Sequence, residues 1–195
     1  LTLRTRFFLV SLSLICASAS FLFACDSSTS DQAQAQDEFR PEKLELAGFV
    51  DYSYSGNPIP DILVTNHSQE ALSLTSFDGL PVLINLWATW CGPCVVEMPM
   101  LDSLAAKLEG QLRVITVSQD MRGSEVVEPF FNDNDFEYLE SWVDPQNKLS
   151  AYYDEAGILP LSILYDKEGQ EVLRVSGGYH WDSNEGSALV AKALQ

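Results

Sequence analysis

Between residues 58 and 195 the apolar residues change their spacing from one stretch to the next, and each spacing predicts an element. Ile62, Val64, Leu72 and Leu74 alternate with polar residues on either side of Asn66-His67-Ser68. A period of two around a polar turn predicts a half-buried hairpin. Asp78-Gly79 makes a turn, and Pro81 through Trp87 is then almost wholly apolar, as a strand covered on both faces has to be. Past Cys94 the period lengthens: Val95, Met98, Leu101, Leu104, Ala105 and Leu108 recur at three and four residues as far as Gly110. That predicts a helix from about Gly92 to Gly110. Leu112 to Val117 reads as a second buried strand, so residues 81–117 form a strand-helix-strand crossover, which implies parallel pairing.

Further helices are predicted over Glu125 to about Asn134, over Asn147 to Tyr153, and over Ser183 to Leu194. Leu161 to Tyr165 and Glu171 to Val175 flank the turn Asp166-Lys167-Glu168-Gly169 and predict an antiparallel hairpin. The result is an α/β domain over 58–195, with a mixed central sheet, helices on both faces and the 62–74 hairpin as an N-terminal extension. Residues 26–57 differ. Asp26 to Glu38 holds no apolar residue larger than alanine and reads as a flexible tether. Leu44, Leu46, Phe49 and Val50 could form one more strand, but the stretch ends in the turn residues Ser55-Gly56-Asn57 and is taken as a connector.

Residues 1–25 have the layout of an export signal: Arg4 and Arg6, then an apolar run from Phe7 to Phe23 broken by serines. Three outcomes stay open. Ala17-Ser18-Ala19 offers a cleavage site, Leu22-Phe23-Ala24-Cys25 resembles a lipoprotein box ending in a lipid-bearing cysteine, and the run is near the lower length for an uncleaved anchor. All three place the rest of the chain outside the cytoplasm and tether or deliver it through its N-terminus.

Composition sharpens this picture at two points. Apolar residues make up 46% of the chain, enough for a core, while 28 acids against 11 bases give a formal net charge of -17. Such a polyanion is repelled by phosphate backbones, so nucleic acid is not an expected partner. The acids can simply keep an exported protein soluble. Of four cysteines, Cys16 and Cys25 belong to the N-terminal segment, and Cys91 and Cys94 alone fall in the globular part. His67 and His180 are isolated in sequence, so neither a structural metal site nor a cofactor is expected.

Cys91-Gly92-Pro93-Cys94, led by Trp90, sits where a strand runs into a helix. Unsatisfied N–H groups and the helix dipole at that point stabilise a negative sulfur, which makes Cys91 the expected attacking thiolate. Cys94, one turn further in, is placed to resolve a mixed disulfide by attacking Cys91 Sγ. Pro93 fits the first turn of a helix. The plainer alternative is an inert pair in a helical turn.

Asn85-Leu86-Trp87-Ala88-Thr89-Trp90-Cys91-Gly92-Pro93-Cys94-Val95-Val96-Glu97-Met98-Pro99 resembles the TlpA/ResA branch of membrane-tethered thioredoxin-like proteins, as do Pro60-Asp61, Asp78-Gly79 and Gly157-Ile158-Leu159-Pro160. The likeness covers roughly residues 58–195. It implies a thioredoxin fold, a cis Pro160 whose loop faces the cysteines, and reduction of disulfides in exported partners, with electrons from a thiol-disulfide donor in the membrane. Family members serve cytochrome c maturation, copper-site assembly or sporulation. Trp90, Gly92, Pro93 and Leu159 would then wall the site, and Leu159 and Leu161 make that wall more apolar than the family pattern. Asn85 stands where cytoplasmic thioredoxins carry a buried acid. Glu97 could supply a carboxylate instead, tuning Cys94 or taking its proton, or could be an ordinary acid favoured by the helix dipole. Trp87 reads as core, and Trp181 as core or loop anchor. Rival functions are a Cu(I) carrier using the same thiolates and a disulfide-forming oxidase.

Overall fold

The computed structural model describes residues 46–77, 79–153 and 157–195. In chain order the elements are β1 (Phe49–Asp51), β2 (Leu63–Thr65), β3 (Ala71–Ser73), β4 (Val82–Trp87), α1 (Gly92–Lys107), β5 (Arg113–Ser118), α2 (Ser124–Asn134), β6 (Ser141–Val143), α3 (Lys148–Tyr153), β7 (Leu161–Tyr165), β8 (Glu171–Ser176) and α4 (Asn184–Val190). One sheet contains all eight strands in the order β1-β8-β7-β4-β5-β6-β2-β3. β4, β5 and β6 are parallel neighbours, and the remaining pairs are antiparallel. This is the mixed sheet that the patterning predicts, and the 62–74 hairpin is β2–β3 at its edge.

The apolar run of β4 is buried along its whole length because both faces are covered. Leu83 and Trp87 point into a core shared with Met98, Leu101 and Leu104 of α1, Val127 of α2 and Leu189 of α4. Val82, Ile84 and Leu86 point the other way, into a core shared with Val64, Leu72, Leu74 and Leu149 of α3. The alternation along one strand thus assigns three helices to one face and α3 with the hairpin to the other. Trp87 and Trp181 are fully buried core residues, and Phe130 and Phe131 pack on the Trp87 ring at 5.0 and 5.9 Å between centroids.

Three parts depart from the sequence reading. Residues 46–57 are not a loose connector. Leu46 is buried, β1 pairs with β8, and Gly56 N–H donates to the Glu171 carbonyl at 2.8 Å. The Tyr54 ring lies 3.5 Å under the Arg174 guanidinium, which itself makes a buried two-pronged ion pair with Glu171 at 2.7 and 2.9 Å. Phe49 and Val50 thus belong to the extra strand left open by the sequence; at three residues, with Phe49 turned to solvent, its periodicity is too short to decide the matter without its partner strand. The three residues of β6 escape notice for the same reason, though they pair in parallel with β5. α4 stops at Val190 instead of Leu194: residues 191–193 form a turn, and Leu194 is exposed. Cys16, Cys25 and the predicted export segment lie outside the described residues. Among the described residues, no helix is long and apolar enough to cross a membrane.

Gly48 is where the N-terminal segment crosses the end of β8. Its N–H donates to the Gly178 carbonyl at 2.9 Å, and a Cβ there would stand 2.8 and 2.9 Å from the carbonyl oxygens of Gly177 and Gly178. These oxygens are held by the hydrogen bonds from Gly177 N–H to the Pro160 carbonyl and from Gly48 N–H to the Gly178 carbonyl, so they have little freedom to retreat from such a clash. Gly48→Ala is expected to lower stability by about 1–3 kcal/mol, the usual range for forced overpacking. Urea unfolding measures it, with hydrogen exchange expected to localise the loosening to β1.

Candidate active site

The two cysteines of the globular part meet at the carboxyl end of β4. Cys91 is the N-cap of α1 with φ -90° and ψ 102°, and its Sγ accepts the Cys94 N–H at 3.3 Å. Cys91 and Cys94 form a disulfide, with their Cα atoms 5.2 Å apart. Pro93 sits in the first turn, where its missing N–H removes nothing, and that turn holds no acidic residue to oppose a negative sulfur. The pair is unequal in access: Cys91 is 6% exposed and Cys94 is fully buried.

A residue that the motif does not reveal holds the approach to Cys91. Asp120 is buried just past the end of β5, and its carboxylate accepts from Thr89 N–H (2.8 Å), Thr89 Oγ1 (2.9 Å) and Ser118 Oγ (2.8 Å). Two of those three bonds clamp the loop between β4 and α1. The signal available in sequence was its position, since the carboxyl ends of neighbouring parallel strands are where sites form in α/β sheets.

Glu97 is fully buried on α1. Its Oε1 accepts from Asn85 Nδ2 at 2.7 Å and its Oε2 from the Tyr179 backbone N–H at 2.9 Å. Burial pushes its carboxyl up to about 8; the Tyr179 N–H, the Asn85 amide and the Trp181 indole oppose the rise without cancelling it. The indole acts at longer range, since its Nε1 makes no hydrogen bond among the described residues. No cation contributes, so the neutral acid is the form that the interior favours. Asn85 also donates to Ser162 Oγ of β7 at 2.9 Å, which joins the acid on α1 to the strand that follows Pro160.

The Leu159–Pro160 peptide bond is cis, and the Pro160 carbonyl accepts the Gly177 N–H at 2.8 Å, tying the loop to the end of β8. Leu159 and Trp90 line one groove of about 530 Å³ together with Gln119, Met121, Ser150 and Ala151. Trp90 is 70% and Met121 82% exposed, an unusual amount of apolar surface for one rim. Neither cysteine lines this groove; it adjoins the site through Trp90, which precedes Cys91, and Leu159, which precedes Pro160, whereas a larger depression of about 670 Å³ between Arg122, Glu125, Asp144 and Lys148 holds no residue next to either in sequence. On the other side of the motif, Gly178 leaves room for Leu46 and Pro93: a Cβ there would stand 2.6 Å from Leu46 Cδ2 and 3.3 Å from Pro93 Cβ. Gly92 and Pro93 are half-buried beside that contact. Among the described residues, no group of three or more His, Cys, Asp or Glu side chains comes together as a metal site.

A Cys-Gly-Pro-Cys disulfide capping a helix in a sheet of this order defines a thiol-disulfide oxidoreductase of thioredoxin fold. Comparison with known proteins gives the same class. The chain belongs to the AhpC/TSA family, whose profile matches residues 55–176, and within it is a protein-disulfide oxidoreductase of the ResA/TlpA type. The thiol-disulfide oxidoreductase ResA of Bacillus cereus is 30% identical over 132 residues, covering 67% of this chain and 75% of its own. Among solved structures, a DsbE-type thiol:disulfide interchange protein from Chlorobium tepidum superposes with a TM-score of 0.63 at 24% identity, over 72% of this chain and 98% of that one. The exposed lipoprotein thioredoxin Etrx1 of Streptococcus pneumoniae does so with 0.57 at 23%, over 67% and 98%.

The raised carboxyl of Glu97 has a definite consequence for stability. Between an unfolded value of 4.5 and a folded value of about 8, the folded state binds more protons than the unfolded one, so stability falls as pH rises through that window. Glu97→Gln, neutral at every pH, is expected to flatten this fall, which is on the order of a few kcal/mol for a shift of this kind. Urea unfolding of both proteins at several values between pH 5 and 8.5 measures it; parallel pH profiles would exclude Glu97 as its source.

Proposed function

We propose that this protein works outside the cytoplasm, tethered by its N-terminus, and reduces disulfides in exported client proteins by dithiol-disulfide exchange. The observation that carries the reading is the inequality of the pair: one sulfur caps a helix and keeps slight exposure, next in sequence to the groove-lining Trp90, and the other is fully buried with a neutral-favouring acid three residues on. In the reduced protein the Cys91 thiolate attacks a client disulfide, forming the bond Cys91–S–S–client and releasing one client thiolate. Cys94 then gives its proton to Glu97, and its sulfur attacks Cys91 Sγ. The mixed disulfide breaks, the second client thiolate leaves, and two electrons have passed to the client while the Cys91–Cys94 bond forms. An acid with a midpoint near the working pH is suited to take and return that proton. Trp90, Gly92, Pro93 and Leu159 form the walls, and cis-Pro160 turns the Leu159 backbone toward an extended client segment.

The export layout of residues 1–25 supports the location, with Cys25 as the lipid-bearing residue, and the lipoprotein description of the similar pneumococcal protein agrees with it. A membrane thiol-disulfide protein would restore the dithiol, and clients of the cytochrome c or copper-site maturation kind fit the ResA/TlpA type.

Cys94→Ala, expressed in the native host, is expected to accumulate client proteins linked through Cys91, seen as bands that collapse on reduction. The Cys91→Ala protein should trap none; equal trapping by both variants would remove the assigned order of attack. Cys25→Ala should release the protein from the membrane fraction or change its processing, read by fractionation and mass; an unaltered membrane-bound product would exclude lipidation at Cys25.

A further inference from the structure

Asn85 has an arrangement that the exchange mechanism leaves unused. Its side chain is fully buried on the central strand, and Nδ2 alone serves two oxygens, Glu97 Oε1 at 2.7 Å and Ser162 Oγ at 2.9 Å. Its Oδ1 is equally buried and has no partner among the described residues. An amide whose nitrogen carries two contacts and whose oxygen carries none fits a carboxylate, which can only accept, better than a carboxyl group whose Oε1 holds the proton. A carboxylate can accept from Nδ2; a protonated oxygen at the same place would set a donor against a donor.

The second half of the arrangement removes that conflict. Ser162 lies directly opposite Asn85 in the β4–β7 register, two residues past cis-Pro160, and a hydroxyl can donate or accept as required. Half a turn about the Cβ–Cγ bond exchanges Nδ2 and Oδ1, which have nearly the same shape. Oδ1 then accepts from Glu97 and from Ser162, and Nδ2 moves to the unpartnered position. Each orientation makes two hydrogen bonds and leaves one amide atom alone, so the proton on Glu97 decides between them.

We propose that Asn85 is a proton-coupled positioning residue: its amide donates to Glu97 and Ser162 while Glu97 is a carboxylate, and turns over to accept from both once Glu97 holds a proton. The proposal rests on the reading of Glu97 as the acid that takes the Cys94 proton. When that proton moves, no covalent bond of Asn85 changes. The Ser162 hydroxyl turns its hydrogen toward Oδ1, so the protonation state reaches the strand that carries the cis-proline loop. The groups that act on Glu97 are Asn85 from β4 and the Tyr179 N–H and Trp181 from the segment after β8; Cys94 lies three residues before it on the same helix. None is a cation, and the Glu97 titration near 8 is therefore driven by burial, with the amide free to follow it.

The whole oxidised chain, labelled with ¹⁵N and ¹³C, tests this without any client. Two signals are followed between pH 5.5 and 9.5: the Glu97 carboxyl carbon, and the contacts of the two Asn85 side-chain amide protons with Glu97 and Ser162. Above the Glu97 midpoint both sets of contacts are expected; below it both are lost, and the amide protons move upfield, with the same midpoint as the carboxyl carbon. Contacts that persist on both sides while the carboxyl titrates would overturn the turnover of Asn85 and leave the role of Glu97 standing. A carboxyl carbon that does not titrate in this range would sink the acid reading of Glu97 and the inference together. Ser162→Ala gives a second readout, since the loss of the shared hydroxyl should move the Asn85 nitrogen shift in both limbs of the titration; no change in either limb would also count against the arrangement.

Discussion

A carboxyl group enclosed in a protein interior without a cation has to be met by hydrogen bonds or remain protonated, and Glu97 imposes that requirement on the whole redox site. Its partners come from segments far apart in the chain: Asn85 from the central strand and Tyr179 from beyond the last strand, with Asn85 extending the connection to Ser162 on β7. α1, β4, β7 and the end of β8 are thereby held in one relation beneath the cysteines. A small rotation of α1 would open two short hydrogen bonds in a dry environment, so the position of the helix and the state of the acid depend on each other.

The contrast with Glu171 shows why this acid differs from an ordinary structural one. Glu171 is as buried as Glu97, yet Arg174 meets it with two prongs and Tyr54 closes over the guanidinium. That pair has its counter-charge and fastens residues 54–57 to the sheet. Glu97 has none, and a perturbed acid with a specific set of partners beside a redox pair is the kind of group that takes part in chemistry.

Around this centre the walls are built from three remote loops. Asp120, just past the end of β5, clamps Thr89, the residue before the exposed Trp90; Leu159, before Pro160, lines the same groove; Gly178 gives up a side chain so that Leu46 and Pro93 fit together. The groove side is apolar, with Met121 and Trp90 largely in solvent, while the opposite side is closed by the N-terminal segment.

Local pattern determined much of this molecule. The period-two hairpin at 62–74, the continuous apolar run of β4, the three-and-four spacing of α1 and the strand-helix position of Cys91 and Cys94 are properties of neighbouring residues, and each has one stable way to bury its apolar side. The likeness around Trp90 to Pro99 extended that to the fold and to cis-Pro160. Elements too short to carry a period were decided by the strands that pair with them: β1, which the sequence left open as a possible strand, and β6, which it did not show. Tertiary structure alone decided the rest: that Asn85 donates to Glu97 and Ser162, that a backbone N–H of residue 179 reaches a side chain at 97, and that Asp120 grips the loop before the cysteines. Hydrogen bonds between residues 12, 31, 77 and 82 positions apart leave no trace in local spacing, because the chain specifies them only by folding.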